Sequence, residues 1–364
     1  MRYLVIIFTI LFWGCSEKLP EDEVFKHDVL WYDEPADKWE EALPVGNGRI
    51  GAMVFGDPHH ERIQLNDDSM WPADPGWDEP EGTPEDLDQI RKLLINGDHV
   101  EADRLFVEKF SNKSIVRSHQ TLGDLYIDLD HGEITDYRRE LDLSTATFTL
   151  TYRSDGAMVT EKIFVSHPHQ LIVVSIESES EKGLNGKVWM DRPPDGPYGV
   201  LTGTTEDNKL TITGEITQSQ AMFKSKPAPI TPDNKNNVKF MTLLKLHNDG
   251  GTIIEGDKQY GIEKVRKLTI YVSNCTSAYR ENFKEFNHKT IDAIEDHDIE
   301  KLWQEHVYDH RELYSRVDLD LPGEVLDSLP TDYRLERIKG GESDPGLEAL
   351  LFQYGRYLLI GSSR

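Results

Sequence analysis

The stretch from Phe148 to Ser166, FTLTYRSDGAMVTEKIFVS, decides the fold class of this chain. Apolar and polar residues alternate on both sides of Ser154-Asp155-Gly156, and this triplet is typical of a tight turn. The stretch therefore predicts two antiparallel strands joined as a hairpin. KLTITGEIT, KFMTLLKLHNDGGTIIEG and KLTIYVS repeat the strand pattern farther along. Many short strands at close spacing indicate a mainly β protein, built as a large antiparallel β-sandwich and not as a parallel sheet.

Helical patterns interrupt this β region once and then follow it. Residues 84–110 predict a helix pair divided at Gly97, with Thr83 as the N-terminal cap. From about Lys289 the chain becomes helical, and a connecting stretch then leads to a last helix that begins near Asp344. Apolar residues cover nearly half the circumference of this last helix, so we expect it to be the first element of a further helical domain.

The domain boundaries follow from these patterns. We predict a sandwich domain at residues 28–283, a helical linker at 284–343 and the beginning of a truncated helical domain at 344–364. Before the sandwich, residues 1–15 have the features of a signal peptide, and residues 16–27 form a short charged tether.

The charge balance limits the partners. The 364 residues include 40 Lys and Arg against 66 Asp and Glu, for a net charge of −26. Such a surface repels phosphate backbones, so we exclude nucleic acid as a partner. A neutral sugar meets no such electrostatic barrier.

The first residues predict export. An apolar run of ten residues ends before Gly14-Cys15, and it is too short to span a bilayer. A small residue directly before a cysteine is typical of a lipoprotein signal, with Cys15 becoming the lipidated N-terminus. We therefore expect a bacterial cell-envelope lipoprotein, held to the membrane by its lipid, and leave open the periplasmic or cell-surface side and plain secretion. Cys275, the other cysteine, reads as a small buried hydrophobe.

Three patterns that suggest a ligand site have simpler interpretations. Residues 46–51, GNGRIG, match a dinucleotide fingerprint but lack the following helix, so they indicate a glycine-rich β-turn. His306 and His310 are spaced as helical metal ligands without a third ligand, and read as solvated or interfacial residues. Asp128 and Asp130 alternate along a strand and lack the other ligands of a calcium loop. We predict no metal and no cofactor.

The aromatic loop at residues 66–77 is a better candidate for sugar binding. Trp71 and Trp77 can stack on sugar rings, and Asn66 and Asp67 can bind ring hydroxyls. The alternative is that both tryptophans anchor a long loop to the sandwich.

Several ordered segments resemble glycoside hydrolase family 95, the family of α-L-fucosidases. WEEALPVGNGRIGAMVFGD, ERIQLNDDSMW, QTLGDLYIDL and YRRELDLSTATFTLTY are similar to pieces of its N-terminal sandwich. Residues 329–364 are similar to its linker and the first helix of its catalytic domain.

This resemblance implies a supersandwich followed by an (α/α)6 barrel that carries the active site. It implies exo-hydrolysis of α-L-fucosyl or α-L-galactosyl linkages in a fucosylated oligosaccharide or polysaccharide, with inversion by a glutamic acid and a water activated by asparagines with an aspartate. The family's asparagines follow the SSR that ends at Arg364, so no catalytic residue can be assigned and we expect these residues to lack turnover. A non-catalytic carbohydrate-binding lipoprotein is the alternative.

Overall fold

The structure is a computed structural model that describes residues 28–71, 81–110, 119–193, 202–216, 238–294 and 298–364. The described residues form two antiparallel sheets, packed face to face, and helices that lie against them. The prediction of a mainly β fold built as an antiparallel sandwich is confirmed.

The two sheets contain nine and seven strands in the described part of the chain. In spatial order, the nine-stranded sheet consists of β1 (Val29–Tyr32), β6 (Ile134–Asp142), β7 (Thr147–Ser154), β8 (Ala157–Ser166), β9 (Leu171–Ser178), β16 (Lys267–Thr276), β13 (Val238–Asp249), β12 (Lys209–Ile216) and β11 (Thr202–Glu206). The seven-stranded sheet consists of β14 (Thr252–Glu255), β15 (Gln259–Val265), β10 (Leu184–Asp191), β5 (Gly123–Leu129), β4 (His60–Asp67), β3 (Ile50–Val54) and β2 (Leu43–Gly46).

The predicted hairpin joins β7 to β8. Ser154 lies opposite Ala157, so the turn contains only Asp155 and Gly156. Their φ angles are 50° and 82°, both in the left-handed region that the tightest hairpin turns require. Asparagine, aspartate and glycine reach this region most easily, which explains why the local sequence predicted the turn.

Two glutamates lie inside the apolar core between the sheets. Glu61 of β4 and Glu161 of β8 are almost fully buried, and backbone N–H groups of Phe55 and Gly56 donate to Glu61 Oε1 at 3.2 and 3.0 Å. Among the described residues, Glu61 Oε2 and Glu161 Oε1 have no hydrogen-bond partner. Burial raises the pKa of Glu61 well above its usual range and that of Glu161 to about 8, so both favour the neutral form.

The helical hairpin α1 (Pro84–Asn96) and α2 (His99–Phe110) is inserted between β4 and β5. The Thr83 hydroxyl accepts the backbone N–H of Asp86 at 3.2 Å, and Gly97 ends α1 with a φ of 84°. Both features confirm the predicted cap and division.

Helices α3 (Phe283–Asp292) and α4 (Ile299–Tyr314) pack on the outer face of the nine-stranded sheet. There Leu302 joins an apolar layer with Phe164, Leu171 and Cys275. Cys275 is 1% exposed, which confirms its prediction as a small buried hydrophobe.

The predicted connecting stretch contains a further helix, α5 (Thr331–Lys339). Its sequence lacks an apolar stripe, and a buried ion pair holds it instead. Arg334 is 3% exposed and donates to Asp344 at 2.8 Å and to Asp327 at 3.1 Å. Since both partners lie outside the helix, local periodicity could not reveal it.

His306 and His310 lie in the interface between α4 and the β6–β7 turn and are not solvated. Both are 3% exposed, and their Nε2 atoms lie within 3.0 and 2.8 Å of the Thr145 and Leu143 carbonyl oxygens. Burial lowers the pKa of His306 to about 4 and of His310 to about 3, which favours neutral imidazoles. Within the described ranges, no group of three or more potential metal ligands occurs, and no helix is long and apolar enough to span a bilayer.

The last helix, α6 (Pro345–Ser362), begins at the predicted residue, with the Asp344 carboxylate accepting the Leu347 N–H at 2.9 Å. One side packs against β2, α4 and α5, and buries Leu350 and Tyr357. The opposite side exposes Leu351 and Leu359, each by 68%.

Candidate functional site

A cavity of about 440 Å³ lies where the outer face of β2, β3 and β4 meets the end of α6. Its lining combines apolar groups with hydrogen-bonding side chains: Trp39, Gln64, Asn66, His119 and Leu358. This volume is in the range of small-ligand pockets. The cavity is therefore the leading candidate site.

The GNGRIG turn forms one wall of this cavity because it fits against α6. It joins β2 to β3, as predicted for a glycine-rich β-turn, and the Gly48 N–H donates to the Gly361 carbonyl at 2.8 Å. A Cβ at Gly46 would lie 2.5 Å from the same carbonyl oxygen, and one at Gly48 would lie 2.9 Å from Arg364. The glycines therefore allow two backbones to meet.

The four predicted sugar-binding residues have different positions. Asn66 is exposed and lines the cavity, whereas Asp67, the next residue of β4, points to the opposite side of the sheet and is fully buried. Trp71 is half exposed and holds its ring edge-on to His119, with 5.4 Å between centroids, so it adjoins the cavity through that histidine. Trp77 lies outside the described residues, as does the predicted lipidation site Cys15.

Asp67 supports the site from behind instead of lining it. Its carboxylate accepts from Arg49 Nη1 at 2.8 Å, from Asn274 Nδ2 at 2.6 Å and from the Ser69 N–H at 3.0 Å. Burial raises its pKa, while the Ser69 hydroxyl and the Arg49 charge oppose that shift. The structure therefore does not place Asp67, a predicted sugar-binding residue, in the lining of the cavity, because the alternation of β4 turns it inward.

Arg49 separates the cavity from a second one of about 330 Å³. Besides Asp67, it donates to Gln170 Oε1 at 2.8 Å and to the Asn274 carbonyl at 2.9 Å. Its guanidinium also lies 5.9 Å from the Tyr279 ring centroid. These contacts fix the position of Arg49 between strands of both sheets.

Residues outside the predicted loop complete the lining. Trp39 Nε1 donates to Gln64 Oε1 at 2.7 Å, and Gln64 is two residues before Asn66 on the same face of β4. The two-residue spacing from Asn66 therefore indicates from the sequence that Gln64 shares its face of the strand. Nothing local in the sequence indicates Trp39 or His119 as lining residues.

The lining is suited to binding hydroxyl groups. Amide, imidazole and indole groups supply donors and acceptors beside an apolar wall. Among the described lining residues Asp68 is the single carboxylate, whereas glycoside hydrolysis uses two carboxyl groups across the scissile bond.

Fold and site together define an antiparallel β-sandwich with helices packed against it and a cavity between the sandwich and α6. Residues 30–282 match the family model of the glycosyl hydrolase family 65 N-terminal domain, and residues 298–364 match that of the glycosyl hydrolase family 95 catalytic domain. The chain belongs to the family 95-like glycoside hydrolases.

Relatives match over nearly the whole chain. Alpha-L-fucosidase 2 of Arabidopsis thaliana is 29% identical and a probable alpha-fucosidase A of Aspergillus oryzae is 27% identical, each over 92% of this chain. The chain spans 42% and 47% of their lengths. A solved structure of a putative kojibiose phosphorylase from the human microbiome has a TM-score of 0.51 at 10% identity, and the match covers 92% of this chain and 41% of that one, which supports the fold.

Proposed function

We propose that the protein containing this chain is an exo-acting, inverting glycoside hydrolase that cleaves α-L-fucosyl or α-L-galactosyl linkages of glycans. The names of its relatives and the family 95 catalytic-domain match support this proposal. One structural observation carries it. The ligand cavity lies between the sandwich and α6, and α6 belongs to the segment that matches the catalytic domain.

In this proposal the sandwich contributes to sugar binding and leaves the bond cleavage to other residues. Asn66 and Gln64 offer amides to sugar hydroxyls, and the Trp39 ring forms an apolar wall beside them. The single carboxylate of the described lining, Asp68, does not supply the pair that the reaction needs. We therefore propose that residues 28–364 alone bind the sugar without turning it over.

The direct test assays α-L-fucosides and α-L-galactosides with a protein that extends this chain through the complete catalytic domain, and with the 364-residue chain. We expect hydrolysis by the longer protein alone, and NMR should show the β-anomer as the first product. Absence of turnover by the longer protein, or a first product with the α-anomer, would contradict the proposal.

The cavity is tested with Asn66→Ala in the longer protein. Loss of amide hydrogen bonds to the substrate should lower kcat/KM about tenfold. Gln304→Ala, which removes an exposed amide on α4, serves as the matched control and should leave kcat/KM unchanged. Equal values for both variants would exclude Asn66 from the site.

We also propose that the protein is a lipoprotein anchored through Cys15 to the cell envelope, as the apolar run before Gly14-Cys15 suggests. Detergent phase partitioning and mass spectrometry of the mature N-terminus test this proposal. Cys15→Ala should move the protein to the aqueous phase, and an unlipidated wild-type N-terminus would refute the anchor.

A further inference from the structure

The outer face of the seven-stranded sheet continues from the cavity across β4, β5 and β10. Side chains on this face form cross-strand rows. Gln64, which lines the cavity, lies opposite Asp124, and Asp124 lies opposite Asp191. In the next row, Arg62 lies opposite Tyr126 and Tyr126 opposite Trp189. The second row is therefore adjacent to the cavity.

Aromatic rings cluster around this second row. The Tyr126 and Trp189 rings stack at an interplanar angle of 17° with 5.2 Å between centroids. His60 adds a third ring, 5.4 Å from Tyr126, and Lys187 places its ammonium 4.7 Å from the Trp189 centroid. His60 and Lys187 are exposed, whereas Tyr126 and Trp189 are half-buried, so the cluster borders solvent.

Most charges on this face are paired with one another. Arg62 donates to Asp124 at 2.9 Å, and Lys187 lies 3.2 Å from Asp128, which also contacts His60. Local pairing leaves no strong excess of either sign, and the whole chain is strongly acidic. This combination fits a neutral ligand and disfavours phosphate or sulfate groups.

The hydrogen bonds of the Asp124 carboxylate give an independent indication that a ligand binds at this face. Asp124 is 3% exposed, and its Oδ2 accepts from Arg62 and from the Tyr126 hydroxyl at 3.0 Å. Its Oδ1 is buried and has no hydrogen-bond partner among the described residues. A buried acceptor without a donor is costly, and a hydroxyl group entering from the sheet face would satisfy it.

We propose that the surface formed by Arg62, Asp124, Tyr126, Lys187 and Trp189 binds a neutral glycan chain that continues outward from the cavity. The rings contact the C–H faces of sugar units, and Asp124 and Arg62 bind their hydroxyls. β3 and β10 are three strand spacings apart, about 14 Å, which is room for several sugar units. The proposal rests on the proposed function, because the cavity receives the end of the same glycan, and it specifies an oligosaccharide substrate.

Calorimetric titration of the full 364-residue chain with a neutral fucosylated oligosaccharide, and with L-fucose as the short probe, tests the proposal. We expect the oligosaccharide to bind at least about tenfold more tightly than L-fucose. Trp189→Ala and Tyr126→Ala should each weaken oligosaccharide binding about tenfold and leave L-fucose binding unchanged. Trp189→Phe, which keeps a ring, should restore most of the affinity.

Tyr333→Ala is the matched control, since Tyr333 is 56% exposed on α5, away from this surface. Thermal unfolding verifies that each variant is folded. Unchanged oligosaccharide affinity in folded Trp189→Ala and Tyr126→Ala variants would overturn the proposal, and so would equal binding of the two probes by the wild type. Either result leaves hydrolysis by the longer protein as a separate test of the proposed function.

Discussion

The two outer faces of the sandwich differ in what covers them. On the nine-stranded sheet, α3 and α4 pack over an apolar layer that includes Val173, Leu243 and Leu302. On the seven-stranded sheet, the strands next to the cavity present aromatic and charged side chains such as Tyr126 and Lys187. One face is thus a second core, and the other leaves aromatic and charged side chains accessible to solvent.

The sequence reflects this difference in its periodicity. β9 reads LIVVSIES and is buried over its first six residues, because side chains on both faces are covered. β4 reads HERIQLND and alternates between buried and more exposed positions. A nearly continuous apolar strand therefore indicates a covered outer face, and strict alternation indicates an open one.

The largest effect is expected from Leu302→Ala, which breaks the covered face. Leu302 is 1% exposed, and its truncation should lower the free energy of unfolding by about 2 to 5 kcal/mol. Urea unfolding, monitored by circular dichroism, measures this loss of stability. The control is Ile254→Ala, because Ile254 of β14 is 44% exposed, and this change should lower the free energy of unfolding by less than about 0.5 kcal/mol. Similar losses in both variants would contradict the assignment of a second core.

The next largest effect on stability is expected from the carboxyl groups buried between the two sheets. The raised pKa of Glu161 means that the folded state holds more protons than the unfolded state between the usual value of 4.5 and about 8. The free energy of unfolding should therefore fall as the pH rises through this window, by on the order of 1 to 4 kcal/mol.

Unfolding titrations from pH 4 to 9 test this pH dependence. Glu161→Gln should flatten the slope, because the amide does not ionise. Glu177→Gln, at an exposed position of β9, controls for the general charge of an acidic chain. A wild-type slope retained in Glu161→Gln would exclude Glu161 as its source.

A smaller effect is expected at the edge of the open face, where α6 meets the GNGRIG turn. Gly46→Ala places a Cβ 2.5 Å from the Gly361 carbonyl oxygen, so the end of α6 must move away. We expect this change to lower the free energy of unfolding by about 1 to 3 kcal/mol. Hydrogen exchange should show faster exchange of the α6 amides. Gly261→Ala on β15 meets its nearest atom at 3.6 Å and should leave α6 protected. Full protection in Gly46→Ala would show that the helix end is not held by this turn.

The smallest loss of stability is expected on the open face itself. Trp189→Ala removes a half-buried ring from a cross-strand pair and should lower the free energy of unfolding by only about 1 kcal/mol. The same urea measurement provides the comparison with Leu302→Ala. A loss as large as that of Leu302→Ala would mean that the aromatic cluster serves mainly as packing.

Local rules predicted much of the fold and part of the site. The left-handed turn at Asp155-Gly156, the Thr83 cap and the glycine-rich turn all depend on neighbouring residues, so they could be predicted. The chemistry of the loop at residues 66–77 predicts both Asn66 and Asp67 as sugar-binding residues, and the alternation of β4 places Asn66 at the cavity and turns Asp67 to the opposite face of the sheet.

The sequence by itself determined the antiparallel sandwich, the helices that have apolar stripes and the resemblance to family 95, because these follow from short-range periodicity, turn residues and ordered segments. Only the tertiary structure decided the rest. Helix α5 depends on the ion pair between Arg334 and Asp344, the cavity on the approach of α6 to the GNGRIG turn, and the open face on where α3 and α4 pack. Each of these three features depends on contacts between residues that meet only after the chain has folded.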